Sequence, residues 1–256
     1  MDDAEGAHPV CGDDYAKVFM DDAAMRIYGP FRGDTRTNAV SVARHRIIDD
    51  FLRTELAEDR NTRVLIIGSG FDSRPYRLEG GIWLEFDEPQ VIAYKNERLP
   101  VSDCRNELQR IAVDFSMDSL EKKLSDIPPG RNTIIVIEGV LMYLDHTSIN
   151  KLLQTLRRIF PCHTLVCDLV TRKFFEKYSR KLHEKLRNLG AVFQYAVDSP
   201  PEIFLDNGYI LKDTESVVGK AVEYGSMHIP EPVLRVFLRT LANGYNIYLF
   251  ESKQML

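Results

Sequence analysis

Five short apolar runs, rich in β-branched residues, recur along the first two thirds of the chain, at residues 64–67, 82–86, 110–113, 133–137 and 164–167. They read as nearly continuous hydrophobic stretches, the pattern of strands buried on both faces, and five of them predict a parallel sheet. Helical spacing fills the intervals. Ile149, Leu152, Leu153, Leu156, Ile159 and Phe160 fall on one stripe behind Thr147 or Ser148 as the cap. Upstream, Val42, Ile47, Ile48, Phe51, Leu52 and Leu56 predict a helix over 40–56 that leads into the first strand. Such a βαβα succession builds a doubly wound α/β fold. Residues 171–190 are strongly charged, with Phe174, Phe175, Tyr178, Leu182, Leu186 and Leu189 interspersed, and Pro200 and Pro201 break any helix beyond them. Strand character returns at 209–217 and 245–252, the last of these suited to an antiparallel setting.

Composition narrows the class of partner. No linker, repeat or low-complexity tract divides the 256 residues, so one domain is expected. The net charge of -5 leaves no broad basic footprint, which argues against nucleic acid and anionic membrane surfaces and for a small molecule or peptide. The interleaved acids and apolar stripe of 172–187 fit an amphipathic lid helix better than a nucleic-acid patch. The first twelve residues lack the basic and apolar segments of a secretory signal, and no apolar run nears the roughly 18 residues of a membrane helix, so a cytoplasmic location is expected. Cys11, Cys104, Cys162 and Cys167 lack the paired spacing of a zinc site, and His8, His45, His146, His163, His183 and His228 show no HxxxH or HxH pattern. No metal site is expected, and nothing in the chain sets an oligomeric state.

The chemistry concentrates at the ends of the predicted strands. The run Arg63-Val-Leu-Ile-Ile-Gly-Ser-Gly-Phe-Asp-Ser-Arg-Pro-Tyr-Arg77 carries a buried strand into a Gly68-Ser69-Gly70 turn. Small residues there let a nucleotide-like ligand approach the backbone, at the crevice typical of open α/β sheets. The third glycine of a dinucleotide fingerprint is missing, with Arg74 and Pro75 near its place. Ser69 lacks the neighbours of a hydrolase nucleophile; its task is to be small. The second strand closes on Glu85 and Asp87, two residues apart on one face, and either could grip a ribose diol. The third and fourth end in Val113-Asp114-Phe115 and Ile137-Glu138-Gly-Val-Leu-Met-Tyr143, again with an acid at each end.

Together, Ala-Arg44, Ile67-Gly-Ser-Gly-Phe-Asp-Ser-Arg-Pro-Tyr-Arg-Leu78, Glu85-Phe-Asp-Glu-Pro89 followed by Lys95, Val113-Asp114 and Glu138-Gly-Val-Leu-Met-Tyr-Leu144 resemble the leucine carboxyl methyltransferase family, which includes polyketide O-methyltransferases. The resemblance spans roughly residues 40–160, with Gly-Ser-Gly in place of the family's Gly-Ala-Gly. It implies a Rossmann-like class I methyltransferase fold: a mostly parallel seven-stranded sheet covered by N-terminal helices of 1–57 and an insertion at about 171–205. It implies S-adenosyl-L-methionine as cofactor, with Gly68 and its neighbours Ser69 and Gly70 lining the methionine portion, Asp87 on the ribose and Asp114 with Phe115 framing the adenine. Arg44 would pair with the cofactor carboxylate, with Arg36 and Arg46 as rivals, and Glu138 would lie near the cofactor amino group. Lys17 lies where the match is faint and reads as a solvated lysine.

The implied reaction is direct methyl transfer to a carboxylate or hydroxyl of a small-molecule, polyketide-like or peptide acid. A carboxylate acceptor needs no general base. Tyr143 and His228 are the candidates to orient or deprotonate a hydroxyl, and Tyr195 and Tyr224 are further aromatics that could line an acceptor pocket. Two other classes use the same cleft: an NAD-type oxidoreductase, and a nucleoside-binding module without catalysis.

Overall fold

The apolar runs become the parallel part of one seven-stranded sheet in a computed structural model, which describes residues 3, 6, 9–115, 120–128, 130–188 and 190–252. His8 and Leu189 lie outside the described residues. In chain order the elements are α1 (Asp22–Tyr28), α2 (Thr35–Glu58), β1 (Arg63–Ile67), α3 (Arg74–Arg77), β2 (Ile82–Asp87), α4 (Pro89–Arg98), β3 (Glu107–Ala112), α5 (Leu120–Ser125), β4 (Thr133–Ile137), α6 (His146–Ile159) and β5 (His163–Val170). Then come α7 (Arg172–Phe174), α8 (Arg180–Arg187), α9 (Glu202–Asp206), β6 (Ile210–Ser216), α10 (Val217–Glu223), α11 (Glu231–Phe237), α12 (Arg239–Asn243) and β7 (Tyr245–Ser252).

The strand order is β3-β2-β1-β4-β5-β7-β6, parallel from β3 to β5, with β7 antiparallel to both of its neighbours. The chain winds outward from β1 to β3 and then crosses back to β4, so a crevice opens where the winding reverses, at the carboxyl ends of β1 and β4. Register fixes what lines it. Ile67 pairs with Phe86, Asp87 with Ala112 and Ile137 with Cys167, which brings Gly68, Asp87, Val113, Glu138 and Asp168 to one rim.

Alternation along the central strands makes two cores. Leu65, Ile67, Ile135 and Ile137 pack with Ile149, Leu153 and Leu156 of α6. Val64, Ile66, Ile134 and Val136 pack with Ile48, Leu52 and Leu56 of α2 and with Val217, Val218 and Ala221 of α10. Each buried Leu, Ile or Val contributes about 1.5–3 kcal/mol relative to an exposed one, so α2 and α6 hold the sheet from both sides.

Several boundaries differ from the pattern, each for a local reason. β3 starts at Glu107 and stops before Val113; as an edge strand it exposes Glu107 and Gln109 between more covered neighbours, so its first half lacks an apolar run. β6, on the other edge, covers Ile210–Ser216 and is exposed over its first five residues. β5 extends beyond 164–167 at both ends because polar His163 and Asp168 are buried within it. The cap of α6 is Asp145, whose Oδ1 accepts from the Ser148 amide at 2.7 Å, and not Thr147 or Ser148. In the same way Asp34 caps α2 and moves its start back to Thr35.

Candidate functional site

The Gly68-Ser69-Gly70 turn is built on left-handed backbone, with φ of +73° at Gly68 and +46° at Gly70. A Cβ at Gly68 would lie 2.4 Å from Val140 Cγ2, so the turn and the loop after β4 meet backbone to side chain. The amides of Gly68 and Ser69 both donate to the Phe86 carbonyl, at 2.8 and 3.1 Å. Gly70 N donates to Asp87 Oδ2 at 2.6 Å and Glu88 N to Asp87 Oδ1 at 2.7 Å. Two backbone amides therefore fix the Asp87 carboxylate at the strand end, and each oxygen keeps acceptor capacity for a further donor. Ser69 Oγ, buried in the same turn, has no hydrogen-bond partner among the described residues.

Glu85 does not share the role left open for it. It is wholly buried and paired with Lys95 Nζ and Arg110 Nε, each at 2.8 Å, which closes its carboxylate to any ligand. Beyond the third strand Asp114 is half-buried and Phe115 exposed, and the Phe115 amide donates to Glu88 Oε1 at 3.3 Å.

On the other side of the turn stands a chain of arginines and carboxylates. Arg44 Nε donates to Glu138 Oε1 at 2.8 Å, and its Nη1 reaches Tyr245 Oη at 2.9 Å and Asp168 Oδ2 at 3.3 Å. Arg74, wholly buried, lies 2.8 Å from Glu138 Oε2 and donates to Asp49 Oδ1 at 2.6 Å; it also pairs with Asp72. Arg77 donates to Asp49 Oδ2 at 2.6 Å. Burial alone would raise the Glu138 carboxyl; Arg74 and Arg44 override it and hold the pKa well below the usual value. The rivals of Arg44 lie elsewhere: Arg36 is exposed, and Arg46 binds Asp50 and the Val10 carbonyl, each at 2.7 Å.

Asp49, Asp168 and Tyr245 belong to no motif, and Arg77 lies in the Gly-Ser-Gly run without a role assigned to it there. The available signal is an acid inside an apolar pattern: Asp49 follows Ile47 and Ile48 toward Leu52, and Asp168 lies between Cys167 and Leu169. Cys11, His45 and Asp49 form a trio of metal-ligand types with ligand atoms within 4.8 Å of one another. Guanidinium nitrogens of Arg74 and Arg77 stand 2.7 Å from the two ring nitrogens of His45, so two fixed cations already occupy the approach a metal ion needs.

Two chain segments contact this rim. From the N-terminal side, Phe19 stacks on Phe71 at 4.7 Å, Asp13 accepts from Ser73 Oγ at 2.7 Å and Tyr94 Oη donates to Asp21 at 2.8 Å. Lys17 pairs with exposed Asp14. From the far side, Gln194 N donates to the Met142 carbonyl at 2.8 Å, and Phe193 packs edge-on against Tyr143, with ring centroids 5.0 Å apart. Tyr143 is half-buried, and burial raises its phenol pKa, which keeps the proton on. Tyr195 is buried in the core and Tyr224 hydrogen-bonds Asp50, so neither lines the rim. His228 is exposed in the loop between α10 and α11.

This architecture is the class I methyltransferase fold: the structure superposes on magnesium protoporphyrin IX methyltransferase from Synechocystis PCC 6803 with bound SAH at a TM-score of 0.55 and 13% identity, covering 90% of this chain and 92% of that one. A DUF574 family protein from Streptomyces avermitilis gives a TM-score of 0.52 at 12% identity, over 94% and 89% of the two chains. The leucine carboxyl methyltransferase family model matches residues 2–157, and the chain belongs to that family. Among its relatives, a Mycobacterium marinum protein that bears the name of an S-adenosyl-L-methionine-dependent methyltransferase is 26% identical over 213 residues, 74% of this chain and 68% of its own. The tetracenomycin polyketide synthesis O-methyltransferase TcmP of Streptomyces glaucescens is 26% identical over 200 residues, 75% of this chain and 69% of its own.

Proposed function

We propose that the chain is an S-adenosyl-L-methionine-dependent O-methyltransferase whose acceptor is a carboxylate or hydroxyl of a small, polyketide-like or peptide acid. The observation that carries the reading is the Asp87 carboxylate, held by the Gly70 and Glu88 amides beside a left-handed glycine turn and facing a rim with Arg44 and Glu138 at its next strand end. Family membership and the name of TcmP support methyl transfer to oxygen.

The rim suits the cofactor chemically. Asp87 would accept the ribose hydroxyls, Asp114 and Phe115 would frame the adenine, and Gly68 with Ser69 and Gly70 would border the methionine portion, where the unpartnered Ser69 Oγ needs a donor or acceptor. Arg44 and Glu138 offer opposite charges to an amino acid's carboxylate and ammonium. When bound, the cofactor supplies an electrophilic methyl on a sulfonium. The protein's share is to hold the acceptor oxygen in line, at about 3–3.5 Å, and to exclude water. Tyr143, protonated, orients the acceptor oxygen as a hydrogen-bond donor, and exposed His228 is the second candidate for a hydroxyl acceptor. The covers are the segments of 1–57 and about 171–205 that touch the rim.

Calorimetry on Asp87→Ala tests the cofactor assignment. The variant should melt as a folded protein and bind S-adenosyl-L-methionine about tenfold or more weakly, since a charged hydrogen-bond acceptor is lost. Unchanged affinity removes the ribose assignment. Transfer of labelled methyl to a panel of carboxylic acids and phenols tests the acceptor class, and label that appears only on nitrogen or sulfur refutes it.

A further inference from the structure

We propose that Asp168 and Tyr245 are positioning residues that aim Arg44 and the backbone after Glu138, and so define the subsite for the amino-acid end of the methyl donor. The proposal rests on the methyl-donor reading above. Asp168 is wholly buried near the end of β5, so it does not touch a ligand in the crevice itself. Each of its oxygens instead holds something that does reach the rim. Oδ1 accepts from Gly139 N at 2.6 Å, the residue after Glu138, in left-handed backbone at φ +70°. Oδ2 accepts from Tyr245 Oη at 2.7 Å and from Arg44 Nη1 at 3.3 Å.

The proton order in this cluster is fixed. Arg44 Nη1 donates to Tyr245 Oη at 2.9 Å, so the phenol must give its own proton to Asp168. Burial pushes the phenol pKa well up, which keeps that proton in place. Tyr245 opens β7 and pairs with Val170, while Asp168 pairs with Ile247, so both side chains are set by the antiparallel ladder, away from the mobile reach of a loop. The guanidinium of Arg44, whose side chain is about a quarter exposed, is thereby held on one side by Tyr245 and Asp168 and on another by Glu138. A guanidinium held at fixed orientation leaves the two Nη2 donors to meet a carboxylate without reorganisation.

Two substitutions separate this from a merely structural ion pair. In Asp168→Asn the amide oxygen can still accept from Gly139, but the amide nitrogen then presents a donor to two donors, Tyr245 and Arg44. Tyr245→Phe removes the relay and leaves the ring. Calorimetry is run with S-adenosyl-L-methionine and with 5′-methylthioadenosine, which keeps the adenosyl thioether and lacks the amino-acid end. Both variants should lose about tenfold or more for the first ligand and stay within about threefold of wild type for the second. Equal losses for both ligands, or no loss for the first, overturn the proposal. If Asp168→Asn fails to fold, Tyr245→Phe carries the test alone. A wild-type protein that binds neither ligand refutes the methyl-donor reading itself, a result distinct from the two above.

Discussion

At the scale of single residues, the feature that organises the site is a carboxylate with no freedom left. Asp49 sits on the buried face of α2, and both its oxygens face guanidinium groups. Burial by itself would raise its pKa; Arg74 and Arg77, with His45 nearby, reverse the sign and hold it at about 2, against 3.8 for a free aspartate. The unfolded chain therefore binds the proton first as pH falls. Stability from this group is complete above about pH 4 and is lost as pH drops through 2, by about 2 kcal/mol. Urea midpoints of the wild type should decline over that window. Asp49→Asn should start lower, by about 3 kcal/mol, because Arg77 loses its main partner and buried Arg74 one of its three carboxylates, and should decline less steeply. Parallel pH profiles for the two proteins would contradict this.

At the scale of elements, legibility followed burial. The central strands β1 and β4 are covered at every position, so their apolar runs marked them to within a residue. The edge strand β3 escaped in part, since it exposes alternate positions and its polar residues look like loop, whereas β6 was marked to within a residue at each end although its first five residues are exposed. Buried polar residues misled in the other direction, as at His163, which opens β5 where an apolar pattern would begin one residue later. His163 ties three elements: its Nδ1 lies 2.6 Å from the Phe160 carbonyl at the end of α6, and its Nε2 lies 3.2 Å from the Tyr209 hydroxyl ahead of β6. The first contact demands a proton on Nδ1, so the neutral ring accepts from Tyr209 through Nε2. Burial lowers its pKa to about 4 from 6.5. Here the unfolded chain again takes the proton first, so stability is unaffected above about pH 6.5 and falls by about 3 kcal/mol as pH drops toward 4. An NMR titration of the His163 ring should show it neutral down to about pH 4. A midpoint near 6.5 would show that the ring is not sealed between α6, β5 and Tyr209.

At the scale of the molecule, the parts that bear motifs and the parts that contact them from above lie far apart in the chain. Gly68, Asp87, Asp114 and Glu138 could be read from the sequence because each ends a strand in a fixed order; Asp168 and Tyr245 could not, because their meeting with Arg44 depends on β7 entering beside β5 from the far end of the chain. The segments proposed as covers were legible only as positions. α2, Phe174 and Tyr195 in them pack into the two cores, while other contacts go to rim loops: Phe19 to Phe71, Asp13 to Ser73, and Phe193 to Tyr143. Elements that rest on loops through a few aromatic and polar contacts open at lower free energy than the central strands, which are packed on both faces. We therefore predict that S-adenosylhomocysteine slows amide exchange chiefly in residues 13–34 and 171–200, with β1 and β4 unchanged because their amides are already protected. Slowing confined to residues 68–115, with none in either segment, would mean that the ligand binds at an open rim, and that water must be excluded by the acceptor itself.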